Sequence, residues 1–156
     1  MAVSKDEFRL ALRNFASGIT VVTTTSAGQR FGITVSAFTS VSLEPPLILV
    51  CIDKRASIHD HLAEGAAFAV NILAADQQDL SQRFASKVED RFANVATTTD
   101  ANGSPLLDGA LAHLQCRVVQ AYAGGDHTIC VGEVEATSVK QGKPLAYFDG
   151  QYAYLA

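Results

Sequence analysis

Between residues 34 and 42 five hydroxyl side chains, Thr34, Ser36, Thr39, Ser40 and Ser42, stand where a buried strand would carry aliphatic groups. The run follows Arg30-Phe31-Gly32-Ile33, stops at Pro45-Pro46, and gives way to the apolar stretch Leu47-Ile48-Leu49-Val50-Cys51-Ile52. Short hydroxyls on an extended backbone offer donors and acceptors without bulk, which suits a polar ligand. The same residues also serve ordinary turn hydrogen bonds, and composition leaves both readings open.

Two more clusters have chemistry to offer. Asp53-Lys54-Arg55-Ala56-Ser57 follows the apolar stretch directly. A helix opening there, with Ser57 as N-cap, would present free N–H groups and a positive dipole end to a phosphate. The alternative is a plain N-cap with solvated basic residues. In Gly124-Gly125-Asp126-His127 the glycines allow a tight turn with positive φ. Asp126 could then orient the imidazole of His127, although such a pair also suits a structural turn. His59-Asp60-His61 resembles a metal pair, but residues two apart do not share a helix face. No third ligand is evident, so no metal site is expected. Neither a glycine-rich dinucleotide fingerprint, a P-loop nor a GxSxG elbow is present.

The elements that must position these residues can be read in order. Ser4 and Glu7 have capping-box spacing, and Phe8, Ala11, Leu12 and Phe15 follow helical periodicity, with Gly18 placed to end the helix. Ile19 to Thr25 and Arg30 to Val35 read as a hairpin around Ser26-Ala27-Gly28-Gln29. Leu47 to Ile52 is a buried strand, Ala56 to Leu62 a short helix, and Ala67 to Leu73 another strand. Asp76 caps a helix running to about Ala85. Residues 86–110 read as a long irregular connection. Leu111 to Tyr122 and Thr128 to Val139 are two long strands joined at Gly124-Gly125-Asp126, and Leu145 to Phe148 is a last short strand. Strands outnumber helices and hairpin joins dominate, so the expected fold is mainly β, an antiparallel barrel with peripheral helices.

At 156 residues the chain has the length of a single domain, 1–156. Apolar residues make up 48% and charged residues 18%, a lightly charged surface that favours self-association. The net charge of −4, with no basic run, speaks against a phosphate-reading nucleic-acid binder. Cys51, Cys116 and Cys130 are widely spaced in apolar runs and read as buried free thiols, which suits the cytoplasm. Met1 to Asn14 lacks the apolar core of a signal peptide, and no apolar run is long enough to span a membrane.

Several of these segments, taken in order, resemble the short-chain flavin reductases, the reductase components of two-component flavin monooxygenases. They are Phe15-Ala16-Ser17-Gly18-Ile19-Thr20-Val21-Val22, Gly32 to Ser42 with Pro45-Pro46, and Phe68 to Leu73 followed by Gln78 and Leu80 to Ala85. Gly103 to Leu107, Gly109 to Ala112, Gly125-Asp126-His127 with Val131 to Val134, and Tyr147 with Gly150-Gln151-Tyr152 complete the set. The resemblance implies the FMN-binding split barrel, an antiparallel Greek-key barrel acting as a homodimer. It implies FMN or FAD, with NADH or NADPH as co-substrate, and reduced flavin delivered to a separate monooxygenase. The isoalloxazine is then expected along Thr34, Val35, Ser36 and Ala37 and near Ser40. Cys51, Ile52, Asp53, Ala56 and Ser57 are expected to hold the ribityl chain and phosphate, Arg83 and Phe84 to close over the cofactor, and Tyr152 to help wall the site. His127 is expected to face the nicotinamide. An electron carrier or ferric reductase on the same barrel, or a non-catalytic flavin- or haem-binding module, are the alternative readings.

Overall fold

The computed structural model describes residues 1–156. The elements run α1 (Lys5–Leu12), β1 (Ser17–Gly18), β2 (Thr20–Ser26), β3 (Gln29–Val35), β4 (Phe38–Ser42), β5 (Leu47–Asp53), β6 (Ala67–Ile72), α2 (Gln78–Phe84), β7 (Thr97–Thr99), β8 (Pro105–Leu107), β9 (Ala112–Gly124), β10 (His127–Val139), β11 (Leu145–Phe148) and β12 (Gln151–Tyr154). A seven-stranded antiparallel sheet, ordered β3-β2-β6-β9-β10-β5-β4, forms the body of the molecule. It curls until β3 approaches β5, but no ladder joins them. The barrel is therefore open along the free edge of β3, as the expected split barrel requires.

Both faces of β2 are buried, which explains its unbroken β-branched sequence. Val22 points into the barrel with Val35, Ile48, Val50, Ile52, Phe68, Val70 and Val118, and Ile58 and Leu62 pack in the same cluster. Val21 points the other way, into a second cluster with Ile19, Leu73, Phe84, Phe92, Leu107 and Leu145. Asn71 is wholly buried yet fully engaged. Its amide donates to Val21 O at 2.9 Å and its carbonyl accepts Leu107 N–H at 2.8 Å, so it stitches β8 to the sheet.

Turn chemistry follows the sequence closely in three hairpins. Ala27 (φ 50°) with Gly28 (φ 79°), and Asp149 (φ 52°) with Gly150 (φ 73°), form two-residue turns with positive φ at both positions. Between β9 and β10 the reversal is made by Gly125 (φ 68°) and Asp126.

Several sequence expectations need correction. Helix α1 has its capping box but ends at Leu12; Gly18 belongs to β1, paired with Ala146. The side chain of Asn14 folds back onto Leu10 O at 2.9 Å and helps terminate the helix early. No α-helix spans Ala56 to Leu62: only the 3₁₀ turn His59–His61 forms, and Ser57 caps nothing. The Asp53 carboxylate instead accepts from Arg55 N–H at 2.8 Å, and the chain continues in tight i→i+3 turns. Asp76 does not cap α2, whose preceding residue is Gln77. The stretch 86–110 contains the hairpin β7–β8, and Leu145 to Phe148 is followed by a further strand, β12.

Candidate functional site

Strand β5 alternates strictly, with Ile48, Val50 and Ile52 buried in the barrel and Leu49, Cys51 and Asp53 on the opposite face. The loop leaving β3 is tied to that face, since Cys51 N–H donates to Ala37 O at 3.0 Å. A cavity of about 620 Å³ opens there, lined by Ser36, Ala37, Thr39, Leu49 and Cys51 from the barrel. Helix α1 and its exit contribute Arg9, Leu12, Arg13, Phe15 and Ser17, and the β11–β12 turn contributes Tyr147, Phe148, Asp149 and Gly150. Its volume falls within the range of small-molecule sites.

His127 stands opposite Asp53 across β5 and β10, and Ile129 stands opposite Cys51. Cross-strand partners share a sheet face, so His127 lies on the cavity side of the sheet, two positions beyond Cys51 along β5. Its Nδ1 is 2.8 Å from Asp126 Oδ1. That hydrogen bond holds the Asp126 carboxyl below its ordinary range. Arg55, bonded through side chain and backbone, holds Asp53 well below the usual carboxylate range. Both carboxylates are therefore anionic beside His127.

Thr34, expected to face the ligand, donates its hydroxyl to Ser81 O at 2.7 Å. Ser81 in turn shares a 2.9 Å hydrogen bond with the Tyr152 hydroxyl, and Tyr152 packs edge-on against Tyr147. Thr34 and Tyr152 are thus bracketed on α2, and of Thr34, Ser81, Tyr152 and Tyr147 only Tyr147 reaches the cavity lining. The side chains of Val35 and Ile52 are buried in the barrel, and the Val35 carbonyl already accepts the Thr20 hydroxyl at 2.6 Å. Ser36, Ser40 and Ser57 are exposed, and their hydroxyls make no intramolecular hydrogen bond.

Ser57 lies apart from that cavity. It lines a second recess with Arg30, Gly32, Lys87, Asp90 and Arg91, at the opposite end of the free β3 edge. Half-buried Ala56 packs on the barrel core beside it. Arg91 is engaged internally, donating to Gly32 O at 2.7 Å and Ser86 O at 2.6 Å. Lys87 is exposed and Arg30 lies over the Phe92 ring, 4.7 Å from its centroid. The recess thus sets Arg30, Lys87 and the Ser57 hydroxyl beside two carboxylates, Glu89 and Asp90, without a helix N-terminus.

Arg83 and Phe84, expected to close over the cofactor, both turn inward in this structure. Arg83 donates to the carbonyls of Arg91 and Asp90 at 2.6 and 2.7 Å, and Phe84 is fully buried. The Phe84 ring supports β3 from beneath: a Cβ on Gly32 would lie 2.6 Å from it. His59 bonds Thr128 and Asp60, whereas His61 stacks on Phe31, so the two do not converge. Burial pushes the thiols of Cys116 up to about 12 and Cys130 up to about 11. Half-buried Cys51 is also raised by burial.

Sequence reasoning missed Arg9, Arg13 and Phe148 at the cavity and Arg30 and Lys87 at the recess. The i, i+4 spacing of Arg9 and Arg13 was the one local signal available.

A family model described as flavin reductase like domain matches residues 12–156. The NADH-dependent flavin reductase of a Rhodococcus species is 43% identical over 152 residues, covering 94% of this chain and 84% of that protein. The reductase component of the 4-nitrophenol 4-monooxygenase/4-nitrocatechol 2-monooxygenase of Rhodococcus opacus is 40% identical, covering 98% and 82%. Among solved structures, the Streptomyces globisporus NADH:FAD oxidoreductase SgcE6, in complex with NAD and FAD fragments, superposes with a TM-score of 0.93 at 36% identity. That match covers 100% of this chain and 97% of that one. With an antiparallel barrel split along β3 and hydroxyl-bearing segments on either side of the opening, the chain belongs to the flavin reductase like domain family.

Proposed function

We propose that this chain, a single domain over residues 1–156, is an NADH:flavin oxidoreductase that reduces FMN or FAD for a separate flavin-dependent monooxygenase. The observation that carries the reading is the opening between β3 and β5, walled by unengaged hydroxyls at one end and cationic groups at the other. Relatives whose names specify NADH support that donor over NADPH.

The donor set fits a flavin. Ser36, Ala37 and Cys51 bound the space for the ring system, with the free β3 edge offering the backbone of Thr34, while Ser40, paired with Ile48, lies on the other face of β4 from Thr39. Ile52 and Asp53 extend this wall along β5. Ser57, Arg30 and Lys87 hold the phosphate in the second recess, where guanidinium and ammonium groups supply charge-assisted hydrogen bonds. When bound, flavin accepts a hydride from the nicotinamide, and this redox chemistry belongs to the cofactor. The protein's part is orientation and electrostatics. Asp126 limits the rotation of His127, which faces the nicotinamide side. Tyr152 acts through Ser81, fixing α2 against Thr34 and so the strand that the ring must meet.

A homodimer explains the remaining surface. No residue of α1 is buried, although Phe8, Leu10 and Leu12 lie along it and Phe15 follows, each more than half exposed. An amphipathic helix with nothing against it calls for a second subunit. Free thiols at all three cysteines suit a reducing cytoplasm. The reading is tested by following NADH and NADPH oxidation with FMN, FAD and riboflavin. Turnover with NADH and a flavin supports it, and oxidation no faster than the protein-free control removes it.

A further inference from the structure

The phosphate-ready recess beside Ser57 leaves a second group of cations without a role. Arg9 and Arg13 are four residues apart, so they project from one side of α1 and its exit. Both line the cavity bounded by Ser36, Ala37 and Cys51. The Arg13 guanidinium makes no side-chain hydrogen bond and lies over Gly150, where a Cβ would come within 2.9 Å of it. Arg13 is held there by its own carbonyl, which accepts Asp149 N–H at 3.0 Å. Arg9 has one ionic contact, to exposed Asp6 at 3.6 Å. Asp149 is the single carboxylate in the lining, against two guanidinium groups.

We propose that Arg9 and Arg13 bind the diphosphate of the nicotinamide dinucleotide. The inference rests on the flavin reductase reading above. Two adjacent planar forks match two linked phosphates, because each guanidinium can donate two parallel hydrogen bonds to one phosphate group. The site lies by the C-terminal end of α1, where backbone carbonyls repel an anion. The arginines must therefore carry the attraction alone. Assignment to the nicotinamide donor, not the flavin, follows from placement. The flavin phosphate has Ser57, Arg30 and Lys87 at the far end of β3, whereas His127 shares the sheet face of Cys51 and Leu49 that walls this cavity. Phe148 adds apolar surface beside the two cations, suited to an adenine ring.

The test compares NADH with reduced nicotinamide riboside, which carries no phosphate, in the wild type and in Arg9→Gln, Arg13→Gln and the double variant. Each single variant should raise the KM for NADH about tenfold, the worth of a lost charge-assisted contact. Activity with the riboside should stay within about twofold, as should kcat at saturating NADH. Arg13→Lys should recover part of the loss. An unchanged KM for NADH overturns the proposal, and so does an equal loss with both donors, which would mean a structural role. A raised Kd for FMN or FAD with unchanged KM for NADH also overturns it and moves the arginines to the flavin. A wild type inactive with both donors would sink the flavin reductase reading itself, whereas active wild type with unaffected variants sinks only the arginine assignment.

Discussion

Asp53 and His127 face each other across adjacent strands, and the backbone closes the same junction: Lys54 N–H donates to Asp126 O at 3.0 Å. The end of β5 and the β9–β10 turn are thus one unit, with His127 held between Asp126 and the strand that walls the cavity. His127→Ala should slow reduction of bound flavin or raise the KM for NADH, while flavin affinity stays within about twofold. Stopped-flow reduction of pre-bound flavin separates the two. An unchanged rate with unchanged nicotinamide affinity would leave His127 a turn residue only.

Ser57→Ala should weaken FMN by about tenfold and leave riboflavin nearly unchanged, the signature of a lost phosphate hydrogen bond. Lys87→Ala should act in the same direction. Equal losses for FMN and riboflavin, by fluorescence titration, would show that the recess does not see the phosphate.

Gly32→Ala tests the support beneath β3. The added methyl would meet the Phe84 ring at 2.6 Å and Phe92 at 3.1 Å, and both rings are buried. Overpacking of this kind costs about 1–3 kcal/mol, so the melting temperature should fall, and flavin affinity with it. A variant as stable as wild type would show that the second cluster is loosely packed.

Asp53 has a depressed pKa in the folded protein, so its stabilisation is complete above the unfolded value and is lost as pH falls through the folded one. The wild type should melt above Asp53→Asn by a steady margin from about pH 5 to 8, converging only well below pH 4. A margin that closed between neutral pH and pH 6 would contradict the Arg55 pairing.

Thiol labelling reads burial directly. Cys116 and Cys130 are buried with raised pKa values, so a disulfide reagent at mildly alkaline pH should modify Cys51 alone in the native protein. Bound flavin should protect Cys51. Labelling of all three thiols at one rate would contradict the packing.

The β2–β3 and β9–β10 hairpins were legible because local chemistry decides them: apolar or β-branched runs on either side of turn residues that accept positive φ. The helix expected from Ala56 failed because one side chain, Asp53, captured Arg55 and set a chain of turns, a competition that propensity does not register. Strand β12 is marked in the sequence by the hairpin signal Asp149-Gly150. The hydroxyl of Ser36 and the Asp126-His127 turn stand out by residue type, whereas Ala37 and Cys51 enter only through the family resemblance. The second recess could not, since it joins residues 28–32 to residues 87–92 through packing of Phe84 and Phe92 that no local pattern announces. Arg83 and Phe84 carried the right residue types but turn inward, one to the 90–91 backbone and the other into the core.

The most direct test of the central claim is anaerobic mixing of the protein with FMN or FAD and a stoichiometric amount of NADH. The account predicts loss of the oxidised flavin absorbance together with NADH, mole for mole, much faster than without protein. Flavin that stays oxidised while the protein is folded and the nicotinamide is in excess would contradict it.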